Sequence, residues 1–220
     1  MARPSKLFRY EANASSENVI EPEKPIYEQI SGNWQKTYFK NDNPITVELG
    51  CGKGEYTVGL AQHFSDRNYV GIDLKGDRIF VGSQKAISLG ITNVAFVRSR
   101  IELIPKIFSP GEIDEIWLTF PDPRPKDRDE KHRLTNMYYL NLYRSLLVKD
   151  GWFRFKTDST SLFEYTLETL HGFKIKEFEY TSDLYNSPLL EEHFGLKTKY
   201  EKIWSEKGEK IKYLKFKFAN

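Results

Sequence analysis

The chain has one cysteine in 220 residues, Cys51, so no intrachain disulfide can form and the fold must rest on packing. A reducing cytoplasm is the expected compartment. No apolar stretch approaches the roughly 20 residues needed to span a bilayer, and the opening Met1-Ala-Arg-Pro-Ser-Lys6 lacks the apolar core of a secretion signal. A soluble protein with no membrane partner is expected. The four histidines, His63, His132, His171 and His193, show no metal-ligand spacing, and one cysteine cannot supply a thiolate site, so no metal is expected. Internal repeats and low-complexity segments are also missing, which excludes solenoids.

What is present is enough for one packed domain. Hydrophobic residues at 39% and aromatics at 15% argue against disorder. The net charge of +2 is unevenly spread. Arg3, Lys6 and Arg9 give the first ten residues +3; eight lysines against Glu201, Glu206 and Glu209 give residues 197–217 +5, leaving −6 for positions 11–196. Basic ends on an acidic body suit a polyanion that touches the ends of the chain. The lysines of Lys210-Ile-Lys-Tyr-Leu-Lys-Phe-Lys217 equally fit the wet face of a strand.

Residues 1–22 are polar without a periodic apolar face and are expected to form a flexible basic arm, with a single domain over residues 23–220. Helical spacing predicts a helix over 25–39. Strands are expected at 45–49, 68–72, 94–97, 113–119, 152–156, 174–180 and 211–218. Helices are expected between them at 56–64, 77–89, 103–108, 137–148, 161–170 and 198–204. This alternation predicts an α/β fold, a doubly wound, mostly parallel seven-stranded sheet with an antiparallel last strand.

The first of these strands runs into Glu48-Leu-Gly50-Cys-Gly52-Lys-Gly54, where three glycines let a ligand approach bare backbone. A dinucleotide fingerprint would need glycine at position 55, which is Glu55, and Glu48 would oppose a pyrophosphate. Asp73 ends the second strand, where doubly wound folds grip a ribose. S-adenosyl-L-methionine satisfies both acids: its ammonium and sulfonium tolerate Glu48, and its ribose can bond Asp73. The strand at 113–119 leads into Phe120-Pro-Asp-Pro-Arg-Pro-Lys126. Its prolines fix φ near −65° and push Asp122 toward extended geometry, which leaves it little freedom to lose on meeting a ligand.

With these motifs, and with Lys156-Thr-Asp158 and Thr198-Lys-Tyr-Glu201, the chain resembles the bacterial tRNA (guanine-N7)-methyltransferases, a class I Rossmann-like family, over nearly its full length. The resemblance implies methyl transfer from S-adenosyl-L-methionine, with S-adenosyl-L-homocysteine as product, to N7 of the variable-loop guanine at position 46 of tRNA. It implies that Glu48, Gly50, Gly52, Gly54, Asp73 and Asp122 hold the donor and that Asp122 is the catalytic residue. Lys126, Asp158, Thr198, Lys199, Tyr200 and Glu201 are implied to contact the substrate. Arg124 stands where the family usually has tryptophan. The stretch Arg98-Ser-Arg-Ile-Glu102 lacks the family's usual residue near the adenine, so that contact is assigned only to Ser99, Arg100 and Ile101.

Guanine N7 already carries a lone pair, so attack on a sulfonium methyl needs no general base, and positioning is the main task. Asp122 and Asp158, at the ends of adjacent strands, would together accept bonds from guanine N1 and N2. Adenine offers no proton at N1 and would leave acceptors unpaired. Lys126, Arg128, Lys131 and Arg133 are candidate phosphate contacts. The open alternatives are a methyltransferase of a small molecule or protein and a non-catalytic RNA-binding protein. Nothing in the sequence selects between monomer and homodimer.

Overall fold

The computed structural model describes residues 4–219. Alternating apolar strands build a single eight-stranded sheet: β1 (Val19–Ile20), β2 (Ile45–Leu49), β3 (Asn68–Asp73), β4 (Val94–Arg98), β5 (Ile113–Thr119), β6 (Leu147–Thr157), β7 (Ile175–Thr181) and β8 (Lys212–Phe218). Their order is β1-β4-β3-β2-β5-β6-β8-β7. Strands β1 to β6 pair in parallel, and β8 runs antiparallel between β6 and β7. The seven expected strands are therefore present, with the antiparallel last strand, and the two-residue β1 is added at an edge.

Chain order reverses between β2 and β5, and the crevice beyond their carboxyl ends is where such sheets bind ligands. Both faces of the sheet are covered, as continuous apolar strands require. Ile45, Val47 and Leu49 face a core with Trp34, Phe108, Tyr143 and Phe155. The opposite face packs Tyr56, Leu60, Ile79, Phe96, Trp117 and Tyr213. Helix α3 (Glu55–His63) and helix α4 (Gly76–Ser88) follow β2 and β3, and α5 (Met137–Leu146) and α6 (Thr160–Leu170) flank β6. Helix α7 (Lys199–Glu206) is capped by Thr198, whose hydroxyl accepts the Glu201 amide at 3.1 Å. Such a cap contributes about 1 kcal/mol. Among the described residues, no helix is long and apolar enough to cross a membrane.

Two elements differ from expectation. In place of a flexible arm, Lys6–Ser15 forms helix α1 against α4, with Arg9 and Asn13 buried. Asn13 donates to the Gly76 carbonyl at 2.8 Å, and Lys24 donates to the carbonyls of Asn13, Ser16 and Val19. The helix also sets Phe8 edge-on against Phe80 of α4 at 6.2 Å, with the Arg9 guanidinium over the same ring. Arg3 lies outside the described residues. The helix expected over 25–39 breaks into α2 (Ile26–Gln29) and a π-helical turn, Trp34–Phe39. At the break, Gly32 has φ +75°, and the Glu112 carboxylate accepts the amides of Gly32 and Trp34 from across the chain.

Candidate active site

Two hollows adjoin at the carboxyl ends of the central strands and share Gly50 and Asp122. The first, of 520 Å³, is lined by Asp73, Ser99, Arg100, Ile101, Glu102 and Tyr139 among others. The second, of 710 Å³, is floored by Glu48, Gly52 and Thr119 and walled by Phe120, Thr198, Lys199 and Tyr200.

The glycine loop explains why the hollows are open at their junction. A Cβ on Gly50, at φ +71°, would meet nothing within 4 Å, so the missing side chain leaves room for a ligand. Gly54 serves packing instead. It lines neither hollow, and a Cβ there would lie 2.5 Å from the Phe96 ring.

Glu48 is 3% exposed on β2. Its carboxylate accepts the Thr119 hydroxyl at 2.6 Å, the Thr57 amide at 2.9 Å and the Thr57 hydroxyl. Burial pushes this carboxyl up to about 7, against the pull of those bonds and of the Lys156 charge. Asp73 accepts the Gly52 amide at 2.9 Å and the Lys75 amide at 2.8 Å, which fixes the glycine loop while leaving each oxygen a further lone pair.

Asp122 projects from the proline loop with an exposed carboxylate, 3.2 Å from Nε of Arg124. Its Oδ1 also accepts the Arg124 amide at 3.2 Å. Phe120 and Arg124 bracket it at φ +48° and +46°, a region that costs a non-glycine residue of order 1 kcal/mol or more. The Phe120 amide donates to the Lys156 carbonyl at 2.8 Å, one of the contacts that hold the bend. Arg124, the unexplained residue of the sequence, is thus the ion-pair partner of Asp122.

Asp158 lines neither hollow. It approaches the site behind Tyr200, whose hydroxyl lies 3.5 Å from its carboxylate. Burial raises the Tyr200 hydroxyl, and the charges of Asp158 and Asp122 add to that. The Tyr200 ring packs on Phe120 at 5.5 Å and on Trp204 at 5.9 Å. The two carboxylates therefore bracket a tyrosine.

Glu201, implied by the resemblance to be a substrate contact, is fully buried in this arrangement. Its Oε1 lies 3.0 Å from the Lys156 ammonium and 3.0 Å from Nε2 of His193, and accepts the Tyr185 hydroxyl at 2.6 Å. Burial opposes its charge, but the bonds from His193 and Tyr185 and the Lys156 charge outweigh burial and hold the carboxyl below its ordinary value. Lys156 is itself buried. Burial lowers its ammonium despite Glu201 and Glu48. Sheet register sets Lys156 beside Thr119, the residue that donates to Glu48. One buried line thus runs from Glu48 through Thr119 and Lys156 to Glu201 on α7.

Lys126, Arg128 and Lys131 are exposed on the proline loop and the short helical turn Asp127–His132, outside both hollows. Arg133 is committed internally, donating to the Arg124 carbonyl at 3.1 Å and stacking on Tyr165 at 4.4 Å. Four of the eight lysines of the basic tail are also committed. Lys210 pairs with Asp183, Lys215 with Glu192 and Glu179, and Lys217 with Glu177, while Lys212 donates to the Asp158 carbonyl. The sequence reading also missed Glu102 and Tyr139, bonded to each other at 2.9 Å in the first hollow. Bonds from its own amide, Tyr139 and Arg100 outweigh burial and keep the Glu102 carboxyl below its ordinary value. Among the described residues no group of three or more His, Cys, Asp or Glu could hold a metal ion.

A family described as "Putative methyltransferase" matches residues 42–214. A tRNA (guanine-N7)-methyltransferase of Cytophaga hutchinsonii is 47% identical over 99% of both chains, and one of Christiangramia forsetii is 44% identical over 99% of both. The chain belongs to the tRNA (guanine-N7)-methyltransferase family. The family's sheet is also found in solved structures of much lower identity. A 16S rRNA methyltransferase, KamB, superposes with a TM-score of 0.63 at 13% identity, covering 86% of this chain and 94% of its own. An antibiotic-related methyltransferase gives 0.62 at 20% identity with the same coverage. Those two likenesses concern the fold alone.

Proposed function

We propose that this cytoplasmic enzyme transfers the methyl group of S-adenosyl-L-methionine to N7 of guanine 46 in the variable loop of tRNA. The observation that carries the reading is the position of Asp122 at the junction of two hollows, one suited to a nucleoside and the other opening toward Tyr200 and Thr198. The donor fits the residues present. Asp73, with free lone pairs, would hold the ribose hydroxyls, Ser99, Ile101 and Glu102 would line the adenine's side of the first hollow, and the bare backbone of Gly50 would leave room for the sulfonium end. Glu48 favours the cationic methionine portion from beneath.

When bound, S-adenosyl-L-methionine supplies an electrophilic methyl group on its sulfonium. Tyr200 and Phe120 hold the guanine plane, and Asp122 accepts hydrogen bonds from its edge while stabilising the positive charge that develops on the ring. No proton leaves N7, so Asp122 acts as acceptor and electrostatic partner rather than as base. Asp158 acts through Tyr200, and Glu201 holds α7 so that Tyr200 stays against Phe120. Lys126 meets the RNA backbone.

Donor affinity tests the role of Glu48. The carboxyl is charged only above about pH 7, so calorimetric affinity for S-adenosyl-L-methionine is expected to rise as pH passes upward through that value and to fall below it. Glu48→Gln is expected to bind weakly with no such step. A wild-type affinity flat from pH 6 to 8.5 would remove Glu48 from donor recognition. In the free protein the sign reverses: the raised carboxyl adds stability below its ordinary value and loses it as pH rises through about 7.

A further inference from the structure

The lysines of β8 are spent inside the molecule, so cations that meet an RNA backbone must lie elsewhere. Lys53 on the glycine loop, Lys75 after β3, Arg78 on α4 and Lys199 on α7 all line the second hollow and are all exposed. None of the four forms an ion pair among the described residues. Three separate segments, the glycine loop, the start of α4 and the start of α7, bring them to one rim, in a body whose sequence outside the two ends is net acidic. Among the described residues, Glu48, Asp122 and Glu55 are the carboxylates that line this hollow, and Glu55, which stands among these cations, accepts the Lys199 amide at 2.6 Å.

We propose that Lys53, Lys75 and Arg78, together with Lys199, form a phosphate-binding rim that grips the RNA backbone beside the target guanosine, across the hollow from the Lys126 to Lys131 side. The inference rests on the RNA-methylating reading above and extends it to a second backbone contact. Charge decides the ligand. The methyl donor carries one carboxylate against an ammonium and a sulfonium, so a net cation gains little from four unpaired cations. A nucleotide within a chain has a phosphate on each side of its base and suits an acidic floor with a basic rim on both flanks. Glu48 in the floor and Asp122 at the junction of the hollows take the positive centre of the reaction, and the rim takes the anions.

The test is salt dependence. tRNA affinity of the full chain is measured by fluorescence anisotropy at several salt concentrations, for wild type, Lys75→Gln/Arg78→Gln and Lys53→Gln. Each lost phosphate contact lowers the slope of log affinity against log salt by about 1, so the double variant is expected to lose about 2 and the single about 1. Donor affinity, read by calorimetry, is expected to change less than about twofold in the double variant. An unchanged slope in both variants would overturn the proposal. So would a fall in donor affinity with an unchanged slope, which would assign these cations to the donor carboxylate. The substituted side chains are exposed, so the double variant keeps the fold, and the single variant on a different element gives an independent answer. Wild type that methylates tRNA while the variants keep its slope sinks only this rim; wild type that fails to methylate tRNA sinks the reading it rests on.

Discussion

Asp122→Asn is expected to lower kcat/KM for tRNA methylation by roughly 10²- to 10³-fold, the range seen when a single electrostatic contact to a transition state is removed. Asparagine keeps the size of the side chain and one oxygen to accept the Arg124 amide, so the loop should hold its shape. What is lost is the charge, both toward the guanine ring as it becomes cationic and toward Arg124. Because the carboxylate is exposed and its ion pair lies at the surface, the stability change should stay below about 1 kcal/mol. Steady-state rates with labelled donor and a parallel melting curve separate the two effects. Full activity at saturating donor and tRNA would remove Asp122 from the reaction.

Lys156→Met is expected to give the largest loss of stability. It removes the cation and leaves Glu201 charged in a site with no solvent access. Breaking a buried pair from one side costs about 3–5 kcal/mol, which for a chain of this size lowers Tm on the order of 10 °C. The Glu48 carboxyl would also rise, because the Lys156 charge now opposes the effect of burial. The pH at which the donor begins to bind should therefore move upward. A second change, Glu201→Gln, made in the Lys156→Met background, should recover part of the lost stability, since no buried charge then stands alone. Strict additivity in that double-mutant cycle would contradict the coupling.

The sheet was legible because parallel strands covered on both faces read as short apolar runs separated by helical patterns. The glycine loop and its two acids were legible because they sit at strand ends, where sequence order and spatial order coincide. Other features depend on partners distant in the chain. Helix α1 buries Arg9 and Asn13 and sets only Phe8 against Phe80, and the break at Gly32 is held by Glu112, so neither leaves a long apolar period. The alternating lysines of β8 correctly suggested a strand, yet the strand lies between β6 and β7 rather than at an edge, and glutamates from neighbouring segments take up its charges. Glu201 belongs to the Thr198-Lys-Tyr-Glu201 motif, but its burial on the inner side of α7 against Lys156 and His193 depends on residues distant in the chain. Glu102 and Tyr139 meet only because the turn after β4 and helix α5 close over the first hollow.

The most direct test of the account is to incubate the purified protein with S-adenosyl-L-methionine and unmodified tRNA, then locate the methyl group by nucleoside mass spectrometry and aniline-induced cleavage. The account predicts 7-methylguanosine as the sole new nucleoside, with cleavage at position 46, and near-complete loss of both signals with Asp122→Asn. Methylation of another atom or another position, or no methyl transfer to tRNA at all, would contradict it.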